Sequence, residues 1–164
     1  MRTLYLLRHA KSSWKDDSLR DFDRPLKRRG REAAEQIGEV LKAEKLKDFL
    51  VISSPAVRAR ETTAIVLKSA GVELEPRFEE RIYEADVRTL LEVVASIPDK
   101  SQTAMLVGHN PGFENLLSYL TGDDRHMPTA ALAKIEFDAG SWSEVTGGSG
   151  RLESFVTPKD LSDD

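Results

Sequence analysis

The amino-acid sequence predicts an α/β fold, a three-layer sandwich in which a mostly parallel central sheet is flanked by helices. Three observations carry that expectation. Three short apolar runs, far apart in the chain, each break off at a polar cluster. Amphipathic helical patterns lie between them, so strands and helices alternate. Near the end, two further apolar runs flank a Gly/Ser-rich segment, as the arms of a hairpin do.

Residues 4–7 (Leu-Tyr-Leu-Leu) form the first run, which ends at Arg8-His9. Continuous apolar character without alternation belongs to a strand covered on both faces. Ala33, Ala34, Ile37, Val40 and Leu41 then recur at spacings of three and four, with charged residues opposite, and predict an amphipathic helix. Residues 49–52 are the second strand, running into Ser53-Ser54-Pro55. A helix is expected from about 56 to 70, closing on Gly71, and another from about 87 to 97, ending before Pro98.

The third strand is residues 104–107, ending at Gly108-His109-Asn110-Pro111. Asn110 is a capping residue and Pro111 suits a first helical position, so a helix from Pro111 to about Leu120 is expected. Residues 132–137 and 152–156, around Gly147-Gly148-Ser149-Gly150, read as a hairpin at the sheet edge.

With 164 residues and no internal repeat or linker, one domain over residues 1–157 is expected, followed by a flexible tail at 158–164. Apolar residues at 40% and charged residues at 32% are the balance of a globular protein. The net charge of −4 gives no general basic excess with which to neutralise nucleic-acid phosphates, so no nucleic-acid partner is expected. The absence of cysteine excludes disulfides, thiolate nucleophiles and zinc–thiolate sites. No apolar stretch approaches the roughly 18 to 20 residues of a membrane span. The first apolar run ends in an arginine instead of a small-residue cleavage site. A soluble, cytoplasmic protein without membrane association is the expectation.

In parallel sheets, ligands bind outside the carboxyl ends of the strands. Here those ends deliver Arg8-His9, then Ser53-Ser54-Pro55 leading to Arg58, then Gly108-His109-Asn110. Two arginines and two histidines suit a phosphoryl group, because guanidinium forks bind its oxygens through paired, charge-assisted hydrogen bonds. A neutral imidazole can attack phosphorus in line while these donors stabilise the transition state.

Residues 7–14 (Leu-Arg-His-Ala-Lys-Ser-Ser-Trp) resemble the Arg-His-Gly/Ala signature of the histidine phosphatase superfamily, which includes the phosphoglycerate mutases. Asp23-Arg24-Pro25-Leu26 followed by Gly30, Ser54-Pro55-Ala56-Val57-Arg58-Ala59, and residues 108–112 are similar to its small SixA-like phosphohistidine phosphatase branch. So are residues 127–132 and Pro158-Lys159, and the likeness spans nearly the whole chain.

The resemblance implies a phosphoglycerate mutase-like fold. His9 would be the phosphorylated nucleophile, Arg8 and Arg58 the phosphate-binding pair, and His109 a second pocket histidine that stabilises the transferring group. It implies no metal or organic cofactor, the arginines supplying the charge that magnesium supplies in kinases. Glu80-Arg81-Ile82-Tyr83 is similar to a mutase-like stretch that holds the general acid, which makes Glu80 the candidate and Glu84 a substitute. Lys15 stands where mutase-like members often carry asparagine, and either binds phosphate or faces solvent.

Other residues carry double readings. Ser53 and Ser54 either bind phosphate or start the helix at Pro55, and Asn110 either caps or serves the site. Arg24 either reaches the pocket or holds its turn, Trp14 packs or walls the pocket, and His126 is a loop residue. The basic run 27–31 starts a helix or faces an acidic partner.

The expected function is a phosphatase acting through phosphohistidine, with phosphohistidine on a protein partner as substrate. Mutase-like relatives carry inserted segments over the site, and this chain has little to spare for them. A phosphatase for a small phosphate ester and a non-hydrolytic phosphocarrier or phosphate-binding module are the alternatives.

Overall fold

In the computed structural model, which describes residues 1–161, β1 (Arg2–Arg8) lies inside a six-stranded sheet. Its alternation explains the unbroken apolar run. Leu4 and Leu6 enter one core while Tyr5 and Leu7 enter another on the opposite face. The helices α1 (Arg28–Lys42) and α2 (Val57–Ala70) cover the Tyr5 face through Ile37, Leu41 and Val66. The other face is covered by α3 (Val87–Ala95) and α4 (Gly112–Thr121) through Leu90, Val94, Phe113 and Leu117.

The remaining strands are β2 (Phe49–Ser53), β3 (Arg77–Phe78), β4 (Thr103–Gly108), β5 (Leu132–Phe137) and β6 (Gly150–Val156). Their order is β3-β2-β4-β1-β5-β6. The first four in this order run parallel, and β5 and β6 are the antiparallel arms of the hairpin at one edge. The register sets Arg8 beside Gly108 and Ser53 beside Val107. The carboxyl ends of β1, β4 and β2 are therefore level, and the loops that leave them share one end of the sheet.

Gly71 ends α2 with a left-handed φ of 71°, where a residue with a β-carbon is strained. Asp86 caps α3 by accepting from the Thr89 amide at 2.9 Å, and that helix ends at Ala95, short of the expected 97. Pro111 precedes the helical residues of α4, and Asn110 Oδ1 accepts from the Glu114 amide at 3.2 Å. Residues 158–161, expected within a flexible tail, form the short helix α5 (Pro158–Leu161) instead, with Leu161 packed against the α1 side of the core. The rest of that tail, 162–164, lies outside the described residues. Among the described residues, no helix is long and apolar enough to cross a membrane.

Candidate active site

The three strand ends are joined by main-chain hydrogen bonds. The His9 amide donates to Gly108 O and the Ser54 amide to Val107 O, each at 2.9 Å. Ala130 closes the other side: its amide lies 3.1 Å from Arg8 O and 3.0 Å from His9 O, at a left-handed φ of 62°. Such a φ costs a residue with a β-carbon about 1 to 2 kcal/mol, so the surrounding contacts hold it in place. Thr62 in α2 accepts from the Ala10 amide at 3.0 Å and donates to Arg58 O at 2.7 Å. It thereby fixes the first turn of α2 against the loop that carries His9.

His9 Nδ1 lies 2.7 Å from Ala10 O. A carbonyl only accepts, so Nδ1 bears the proton and the neutral ring keeps its lone pair on Nε2. Nε2 faces Arg58, whose Nε donates to it at 3.3 Å. Burial pushes the His9 pKa down. The Ala10 hydrogen bond opposes this, the charges of His109, Arg58 and Arg8 add to it, and the result is about 3. At neutral pH the ring is uncharged and nucleophilic.

Arg58 is nearly fully buried, and its terminal nitrogens are taken by Asp21, Nη1 to the backbone oxygen at 2.7 Å and Nη2 to Oδ2 at 2.9 Å. Asp21 Oδ1 also accepts from Arg24 Nε at 3.1 Å, and Oδ2 from the Tyr83 hydroxyl at 2.6 Å. Partial burial alone would raise the Asp21 pKa, but the bonds from Tyr83 and Arg58 and the arginine charge outweigh it and hold it at about 2. Asp21 is thus a fixed anion that orients two arginines and a tyrosine.

His109 packs 5.2 Å from His9 between ring centres, with Tyr83 edge-on at 5.4 Å. Its Nε2 is 2.7 Å from Ser54 Oγ. Burial and the Arg58 charge lower its pKa, Asp21 opposes them, Arg8 and Arg24 add to the lowering, and the result is about 4. Arg8 donates through Nη1 to Met127 O at 3.0 Å. Arg8 Nε and His109 Nδ1 are buried and lack hydrogen-bond partners among the described residues.

Arg8, His9, Arg58 and His109 line one pocket of about 360 Å³, whose rim includes Lys11 and Lys27. No carboxylate lines it among the described residues. Arg24 and Trp14 also line it, whereas Lys15 is exposed and does not. Ser53 turns inward, donating to Ser54 O and accepting from Thr63. His126 is exposed and pairs with Glu114.

Glu80 is not brought to this pocket. It is exposed at the start of a 3-10 turn, Glu80–Ile82, in which Ile82 is the buried residue, and Tyr83 is the residue of that stretch that reaches the histidines. Glu84, at a left-handed φ of 55°, lines a neighbouring cleft of about 660 Å³ that shares His109 and Asn110 with the pocket of Arg8 and His9.

Asp21, Tyr83 and Thr62 were not singled out by the sequence. Asp21 lies in an acid-rich stretch, 16–23, where its spacing marks nothing. The Glu-Arg-Ile-Tyr likeness located the segment that carries Tyr83 while directing attention to Glu80.

Residues 4–100 match the histidine phosphatase superfamily (branch 1). An uncharacterized chloroplastic protein of Arabidopsis thaliana is 35% identical over 175 residues, covering 96% of this chain and 78% of that protein. A structure from Agrobacterium tumefaciens, assigned as the phosphohistidine phosphatase SixA, is 31% identical with a TM-score of 0.80, covering 96% of this chain and 99% of the other. The structure given the same assignment from Nakamurella multipartitia has a TM-score of 0.84 at 26% identity, covering 96% of each chain. The mixed sheet flanked by helices is the phosphoglycerate mutase-like fold of these structures. By sequence and by fold alike, this chain belongs to the histidine phosphatase superfamily.

Proposed function

We propose that the protein is a phosphatase that takes a phosphoryl group onto His9 and releases it to water, with phosphohistidine on a protein partner as its substrate. The observation that carries this reading is the state of His9: a neutral ring, proton on Nδ1, lone pair on Nε2, with the Arg58 guanidinium 3.3 Å away. In the first step Nε2 of His9 forms a bond to phosphorus as the bond to the leaving nitrogen breaks. The electron pair and a proton stay with the departing imidazole. Water then attacks the phosphohistidine, and Nε2 recovers its lone pair as inorganic phosphate leaves.

Arg8, Arg58 and His109 serve as donors to the equatorial oxygens, where charge accumulates. Among the described residues Arg8 Nε lacks a partner and supports this, since a buried N–H calls for an acceptor, and the likewise unpartnered His109 Nδ1 does so in the tautomer that protonates it. The preference for an N-linked phosphoryl group rests on the lack of a carboxyl group lining the pocket among the described residues. A phosphoramidate nitrogen is protonated before cleavage, so it needs less from a protein acid than an alcohol does. The likeness to chains assigned as phosphohistidine phosphatases supports the same choice.

The decisive measurement is release of inorganic phosphate from a phosphohistidine-bearing protein or peptide. Multiple turnovers are expected, with a loss on the order of a thousandfold or more in His9→Ala. Stoichiometric transfer to the protein without release would identify a phosphocarrier and overturn the reading.

A small phosphate ester as substrate is favoured by one observation, the position of Glu84 on the cleft that shares His109. On that reading Glu84 protonates the leaving alcohol.

A further inference from the structure

We propose that Trp14 is a stacking shelf for the leaving group, and that it makes the site select phosphoryl groups carried on a planar aromatic ring. This rests on the phosphatase reading and names the chemistry that its substrate must present.

Trp14 is 72% exposed, unlike Trp142, which is fully buried with its Nε1 donating to Ser101 O at 2.6 Å. Exposure of this kind normally goes with mobility, yet the Trp14 ring is seated on a cation. The Arg24 guanidinium carbon lies 3.4 Å from the ring centre, a close cation–π contact. Arg24 is itself buried and held through Nε by Asp21 Oδ1 at 3.1 Å and through Nη1 by Ser12 Oγ at 2.7 Å.

The flanking backbone is tied as well. Ser13 N donates to Pro25 O at 2.8 Å and Lys27 N to Lys11 O at 2.9 Å, so the segments on either side of the contact are paired. The indole is a fixed platform with most of its surface open, and it walls the same pocket as His9, Arg8 and Arg58.

Packing alone does not account for an indole with this exposure. A ring presented beside a nucleophile meets whatever departs from phosphorus. A flat ring gains by stacking on it, and a phosphorylated imidazole protonated before cleavage gains more, because an indole face attracts cations. An alkyl alcohol gains neither. The rim lysines Lys11 and Lys27 attract the phosphoryl charge whatever carries it, so they do not discriminate.

The test uses two probes with the same anion, phenylphosphonate and methylphosphonate, titrated by calorimetry and by tryptophan fluorescence. Phenylphosphonate is expected to bind about tenfold more tightly, the scale of one aromatic stacking contact. Trp14→Ala should bring the two probes to parity by weakening phenylphosphonate alone, and Trp14→Phe should retain most of the preference. The fluorescence change should accompany phenylphosphonate and disappear in Trp14→Ala, since Trp142 is out of reach.

Equal affinity of the two probes for the wild type would overturn the shelf, as would equal weakening of both by Trp14→Ala. Failure of both phosphonates and of inorganic phosphate to bind would instead overturn the phosphatase reading beneath it.

Discussion

The guanidinium of Arg58 is gripped by Asp21 at both terminal nitrogens, at 2.7 and 2.9 Å, and this leaves Nε to meet Nε2 of His9 at 3.3 Å. Asp21 therefore aims the arginine at His9. Its carboxylate also competes with a phosphate oxygen at Nη2, while each terminal nitrogen keeps a second hydrogen to donate.

Asp21→Asn should separate these two effects. Removing the charge loosens the hold on Nη2 while the backbone oxygen keeps Nη1, so kcat should fall about tenfold while inorganic phosphate inhibits at lower concentration. Steady-state kinetics with phosphate as competitive inhibitor measures both. A variant that lost kcat and also bound phosphate more weakly would contradict the role given to Asp21.

Glu80→Gln should change kcat/KM by less than about threefold for any substrate, because its side chain is exposed and off the pocket. Glu84→Gln should lower hydrolysis of an alkyl phosphate ester by about tenfold or more and leave phosphohistidine hydrolysis intact, if the cleft beside His109 accepts alcohols. Parallel assays of the two variants on an ester and on a phosphohistidine peptide give the comparison.

Both pocket histidines are held neutral, His9 at about 3 and His109 at about 4, below the ordinary 6.5. Between 6.5 and those values the unfolded chain binds protons that the folded chain does not. Stability therefore falls as pH falls through that window and is regained as it rises. The thermal midpoint should drop steadily from about pH 6.5 to about pH 4, and less steeply in His9→Ala. Imidazole resonances of His9 and His109 should stay near their neutral positions down to about pH 5. Titration of either ring near 6.5 would contradict the burial that lowers them.

Gly30→Ala should disturb the pocket from outside it. A β-carbon there would sit 2.1 Å from Lys11 O, a backbone atom, so α1 and the loop after His9 must part. A loss of about 1 to 3 kcal/mol is expected by denaturant unfolding. Reduced phosphate affinity should accompany it, since Lys11 and Ser12 line the site.

The strands that carry the site were readable because burial on both faces leaves unbroken apolar runs, and two of the runs broke at residues that line one pocket, Arg8-His9 and His109, while Ser53 turns inward. Gly30 stood out as part of a likeness, but its reason, the approach of α1 to Lys11, is a contact between segments far apart in the chain. Asp21 was hidden because a carboxylate earns its role from the arginines around it, and Arg58 is 37 residues away. The strand Arg77–Phe78 was missed because it has two residues, both exposed, and no pattern can form over that length. Glu80 lies off the pocket for a related reason: the likeness located the turn, and the turn faces Tyr83 toward the histidines.

The amides of His9 and Ser54 continue the ladders of β1 and β2 one residue beyond the strands, so the floor of the pocket belongs to the same cooperative unit as the buried sheet. Those two amides should exchange with deuterium only when the sheet itself opens, while the amides of the exposed residues 15–20, which belong to no strand or helix, exchange far faster. Change along a lineage would then be confined in the same way. The floor can be replaced only together with the fold, and new substrates are acquired by altering the rim.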